Sequence, residues 1–149
     1  MKLKLSLFSI FLILFCFSNQ ALSQTGPIKG KVALIGNMTK SFDSCSGFPN
    51  TFNQKLRVRW NSFVSFIVRD ITENGAQSPG GILKNEVIAR QTFLMSNGLG
   101  YVELAYSVKD FFSSKKKRDV TKFYTYFSNQ GKFICQVKYH GKLDHKKIN

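Results

Sequence analysis

Residues 87–108 read VIARQTFLMSNGLGYVELAYSV. Val87, Ala89, Gln91, Phe93 and Met95 share one parity before Asn97-Gly98, and Val102, Leu104, Tyr106 and Val108 share one after it. Period-two alternation places successive side chains on opposite faces of a strand. Asn-Gly supplies two residues that tolerate positive φ, so this stretch reads as a β-hairpin.

The same rhythm extends in both directions. Val32 and Leu34 alternate with Lys31 and Ala33. Leu56, Val58 and Trp60 alternate with Lys55, Arg57 and Arg59, a half-buried strand with a cationic outer face. The phase slips near Asn61-Ser62, where a bulge or break would hand the inward positions to Val64, Phe66 and Val68. A second hairpin joins Val120–Ser128 to Lys132–Tyr139 through Asn129-Gln130-Gly131, with Phe133, Cys135, Val137 and Tyr139 on one face. Asn37 to Asn53 and Glu73 to Gly81 collect Gly, Pro, Ser, Asn and Asp and read as loops. Six to eight short strands without βαβ spacing predict an all-β domain. The expected architecture is a single small β-sandwich, transthyretin-like or immunoglobulin-like, with a small barrel as the second option.

The chain has 149 residues, enough for one domain. Its 43% hydrophobic and 14% aromatic content excludes disorder. Residues 1–23 read as a signal peptide: Lys2 and Lys4, an apolar run from Leu5 to Phe17, then Ala21 and Ser23 at the −3 and −1 positions. The run is too short for a spanning helix, which needs about 20 residues. Cleavage after Ser23 leaves residues 24–149 as one exported domain, ending in a basic tail, with a net charge of +12. Cleavage also removes Cys16. An even pair, Cys45 and Cys135, in an oxidising compartment is most simply one disulfide, worth on the order of 4 kcal/mol by loop entropy. The alternatives are two free thiols, or a reactive cysteine with His140 or His145 as its base.

Sequence motifs for metal, phosphate or nucleophile sites are missing, so no catalytic residue, metal or cofactor is expected. The positive signal is Ser114-Lys115-Lys116-Lys117-Arg118-Asp119, extended by Lys138, Lys142, Lys146 and Lys147. Four consecutive cations attract polyanions. They also fit a nuclear-import cluster, a processing site before Asp119, or a merely solvated loop. Lysine outnumbers arginine 17 to 5, which suits diffuse charge attraction and disfavours sequence-specific DNA reading. Asn37-Met38-Thr39 is a glycosylation sequon.

Several segments resemble the nematode transthyretin-like family of small secreted proteins. Gly26 to Asn37 (GPIKGKVALIGN) is similar to its opening strand, and Val64 to Asp70 (VSFIVRD) to its second. Thr92 to Leu104 (TFLMSNGLGYVEL) resembles its hairpin, and Phe123 to Tyr139, with Cys135-Gln136, its late paired strands. Two cysteines common in that family are absent, and the loop from Thr39 to Lys55 is longer. The resemblance implies an extracellular sandwich concerned with host contact or apolar-ligand carriage. The related hydroxyisourate hydrolases end in Tyr-Arg-Gly-Ser; this chain ends His145-Lys146-Lys147-Ile148-Asn149, so that activity is not implied.

Three functions follow as expectations. The first is a secreted, non-enzymatic protein binding an acidic protein or sulfated glycan through Lys115–Arg118. The second is an effector that meets host-cell proteins after delivery and enters the nucleus by the same cluster. The third is a carrier of a small apolar ligand among Trp60, Phe66, Phe93 and Leu104.

Overall fold

A computed structural model describes residues 29–62 and 64–148. The signal segment lies outside the described residues. Eight antiparallel strands follow one another: β1 (Gly30–Asp43), β2 (Thr51–Ser62), β3 (Ser65–Asp70), β4 (Ala76–Leu83), β5 (Glu86–Leu94), β6 (Gly100–Val108), β7 (Lys117–Ser128) and β8 (Phe133–Lys147). Each pairs with the next, and β8 returns to pair with β1, so the sheet closes into a barrel. The predicted sandwich is therefore corrected. Neighbour-to-neighbour pairing through short connections winds a single sheet, and closure removes both of its edges.

Three local misreadings hid the closure. The sequence from Ser78 to Gly81 lies within β4, not in a turn. Its ladder with β5 runs from Gly80 to Leu83, so Pro79, which has no N–H, takes no place in it. Gly80 lets the two strands approach: a Cβ there would come within 2.0 Å of the Ile88 carbonyl oxygen. The turns proper are Asn74-Gly75, at the start of the expected loop, and Lys84-Asn85, all four residues with positive φ. The loop expected from Asn37 to Asn53 shrinks to residues 44–50, because β1 runs on to Asp43. The expected basic tail is the end of β8, paired in register with β1 from Val32↔Lys147 to Ile35↔Asp144.

The two expected hairpins are present, with Gly98 and Gly131 at positive φ. The β2–β3 register shifts between Trp60 and Ser62, where the sequence phase slips. Phe66 and Val68 face inward beyond it, whereas Val64 is exposed. A second shift, between Tyr126 and Phe127, turns Phe133 outward and leaves Cys135 half-buried.

The barrel interior is filled by Val32, Leu34, Leu56, Val58, Phe66, Leu104, Val137, Leu143 and their neighbours. Most charged side chains lie on its outer surface, with Asp70, Arg118 and Lys122 buried. No described helix is long and apolar enough to cross a membrane. The strands define two ends. Loop 44–50, the β3–β4 turn and the tips of both hairpins lie at one, where the Cys45–Cys135 disulfide sits with Cα atoms 5.1 Å apart. Trp60, the β6–β7 loop and residues 29 and 148 lie at the other.

Candidate functional site

Strand alternation sends Lys55, Arg57 and Arg59 outward from β2 while Leu56, Val58 and Trp60 pack inside. Register then sets further cations beside them. Lys31 on β1 stands opposite Arg59, and Arg69 on β3 stands opposite Arg57. Lys146 on β8 pairs with Ala33, itself opposite Arg57. These six side chains are exposed. Paired strands lie about 4.8 Å apart and alternate residues about 7 Å apart, so the cations form a compact grid.

All eight acids of the chain are among the described residues; only Asp144, across Ile35 from Lys55, borders this grid, and none stands opposite Lys31, Arg57, Arg59 or Arg69. Asp43 pairs with Lys40 at 2.8 Å, Asp110 with Lys115 at 2.7 Å, and Asp144 with Lys117 at 3.9 Å. Asp70 and Glu73 are held by Lys122. Asp119 faces His140, Glu86 accepts from Ser107, and Glu103 lies on β6. A groove of about 720 Å³ opens along the upper part of the grid, lined by Lys29, Lys31, Arg59, Asn61, Ser65 and Ile67 among others.

The predicted four-cation cluster is broken up by its own fold. Arg118 is 2% exposed. Its Nε donates to the Phe111 carbonyl at 2.9 Å, Nη2 to Ser113 at 2.6 Å, and Nη1 to Lys117 at 3.1 Å and also to Lys115. A guanidinium on four carbonyls is the clasp of the β6–β7 loop, so Arg118 does not share the exposed face assigned to it. Burial pushes its pKa down. Lys115, Lys116 and Lys117 remain exposed, but Lys115 and Lys117 are engaged by Asp110 and Asp144. Of the outlying cations, Lys138 lies over the Phe123 ring, Lys142 faces outward on β8, and Lys147 reaches the Trp60 end.

The remaining predicted positions are plainly placed. Cys45 and Cys135 are joined, which removes the free-thiol and cysteine–histidine alternatives. His140 points outward and His145 inward; burial, Arg118 and Lys147 lower the pKa of His145. Asn37 is exposed on strand β1, not on a loop, and its Oδ1 accepts from Asn53 Nδ2 at 3.2 Å. Trp60, Phe66 and Leu104 are buried core, with Phe93 packed against them.

A buried polar cluster at the disulfide end was missed. Lys122 Nζ, 1% exposed, donates to Asp70 Oδ2 at 2.8 Å, Glu73 Oε1 at 2.9 Å and Gln54 Oε1 at 3.2 Å. Asp70 also accepts from Tyr106, Gln54 Nε2 and the amides of Thr72 and Glu73. Glu73 also takes the Tyr124 hydroxyl. Burial, opposed by Lys122 and the hydrogen bonds, leaves the Asp70 carboxyl below its ordinary value; burial and Asp70 push the Tyr106 phenol well above its own. All three ammonium protons are satisfied, and the cluster fills the disulfide end of the barrel. The signal was present: Lys122 stands between Val120 and Tyr124 in the inward phase of β7, as Asp70 follows Phe66 and Val68 in β3.

Among the described residues no three His, Cys, Asp or Glu side chains are grouped to hold a metal. No protein-family model, curated protein or solved structure matches the chain.

Proposed function

We propose that this chain is an exported, non-enzymatic binding protein that takes an extended polyanion, of the class of sulfated glycans, on the outer wall of β1, β2 and β3. The observation that carries the reading is the opposition of like charges, Lys31 to Arg59 and Arg57 to Arg69, with no acid among them. Like charges directly opposite in a sheet destabilise it, so the grid brings the fold nothing on its own. An anion laid across it relieves the repulsion and stabilises the native state by mass action. Arginine at three of these positions adds the planar fork that grips sulfate in two places.

Export is supported by the leader-like residues 1–23 and by the disulfide, which suits an oxidising compartment. The nuclear-import alternative needs four accessible cations, and Arg118 is not one of them in the folded chain.

Retention on immobilised sulfated polysaccharide tests the site. Wild type should elute only at raised salt, since exposed charge contacts are screened. Arg57→Gln/Arg59→Gln/Arg69→Gln should elute much earlier, and Lys115→Gln/Lys116→Gln/Lys117→Gln close to wild type. The reverse order would move the site to the loop. Retention of wild type on an acidic protein alone would change the partner class.

A further inference from the structure

At the Trp60 end a second groove, of about 360 Å³, lies between the β6–β7 loop and the end of β8. Its apolar part is aromatic: Trp60 meets Phe111 and Phe112 edge-on at centroid distances of 5.3 and 5.5 Å. Its polar part is cationic, with Lys31 and Lys147 at the rim and Arg118 and His145 further in. No carboxylate is among its described lining residues. Ser113 adds a hydroxyl that is buried there without a hydrogen-bond partner. Small-molecule sites are concave, largely apolar, of about 300–1,000 Å³, with a few polar groups that fix orientation. This groove meets each of those conditions.

We infer that the groove is a binding site for a small amphipathic anion: a flat apolar body against Trp60 and Phe112, with one sulfonate, sulfate or carboxylate towards Lys31 and Lys147. The charge follows from the rim, since a neutral ligand of the same shape leaves both ammonium groups unused. Burial, and after it Arg118 and Lys147, lower the pKa of His145, so the positive charge of the groove rests on the lysines and Arg118 and not on this ring. The groove adjoins the larger one on the polyanion wall and shares Lys31 and Trp60 with it, but Lys147 lines only this groove, so each assignment has its own test.

Trp60 is the only tryptophan in the chain and lines both this groove and the larger one beside it, whereas Lys147 lines only this one, so Trp60 fluorescence reports binding and Lys147 assigns it. The full domain is titrated with 8-anilinonaphthalene-1-sulfonate, following Trp60 quenching and energy transfer to the dye. Saturable one-to-one quenching is expected. Neutral N-phenyl-1-naphthylamine should bind about fivefold more weakly or worse, and Lys147→Gln should cost about as much. Lys147 is exposed, so an unchanged melting temperature in that variant excludes unfolding as the cause. Arg57→Gln/Arg69→Gln should bind the dye like wild type, even where it loses polyanion retention. Absence of saturable quenching, equal affinity for the neutral dye, or indifference to Lys147→Gln would each overturn the assignment.

Discussion

Arg57 on β2 stands directly opposite Arg69 on β3, on the outer face of the barrel. Two guanidinium groups in cross-strand register repel, and no acid beside them compensates. Arg69→Glu should therefore stabilise the protein at low salt, by about 0.2–1 kcal/mol, while weakening polyanion retention. Chemical denaturation at low and high salt checks the sign, because screening should shrink the gain.

The buried Lys122 has the opposite role. Lys122→Met leaves Asp70 charged, buried and short of its strongest partner, and should cost about 3–5 kcal/mol. Adding Asp70→Asn should recover much of the loss, since the uncompensated charge is then gone. Urea midpoints of the two single variants and the double variant measure the coupling.

The same cluster sets two pH limits. A carboxyl whose folded pKa is lowered contributes stability above its unfolded value, near 3.8, and loses it as pH falls through the folded value. Tyr106 is shifted upward, so its contribution is complete below the unfolded value of 10.0 and falls away as pH rises beyond it. Apart from a downward step below pH 6.5, which the lowered pKa of His145 adds as pH falls, stability should be level between these limits and decline outside both. Asp70→Asn should make the acid decline shallower, and Tyr106→Phe the alkaline one, in denaturation midpoints measured across pH.

Arg118→Ala should release the β6–β7 loop. It removes the donor from four carbonyls at once, and hydrogen bonds to charged groups are worth about 1.5–3 kcal/mol each. Increased proteolysis between Phe111 and Lys117, with polyanion retention unchanged, is the expected pattern.

Removing the disulfide by Cys45→Ser/Cys135→Ser should cost about 2–5 kcal/mol. The bridge ties loop 44–50 to β8, beside the hydrogen bond from Ser44 N to the Gln136 carbonyl at 3.0 Å. Thermal melting of the oxidised protein against the serine variant reads the difference.

Strand identity was largely legible in the chain, and closure was not. Alternation located the cores of most strands, and Asn97-Gly98 located a hairpin, because both are local properties. Closure depends on β8 returning to β1, a pairing of residues about a hundred positions apart that no local pattern encodes. Gly80 misled for a physical reason: glycine marks turns, but here it serves a close approach between strands. The basic site divided the same way. Lys55, Arg57 and Arg59 were visible as one cationic strand face, whereas Lys31 and Arg69 joined them only through register. Arg118 looked like the end of an exposed run, because four consecutive cations say nothing of which one turns inward.

Backbone amide shifts on titration with a short heparin-like oligosaccharide test the central claim most directly. Lys31, Arg57, Arg59 and Arg69 should shift together and saturate, while Lys115, Lys116 and Lys117 stay in place. Shifts confined to residues 113–118, or none on β2 and β3 at saturating oligosaccharide, would contradict it.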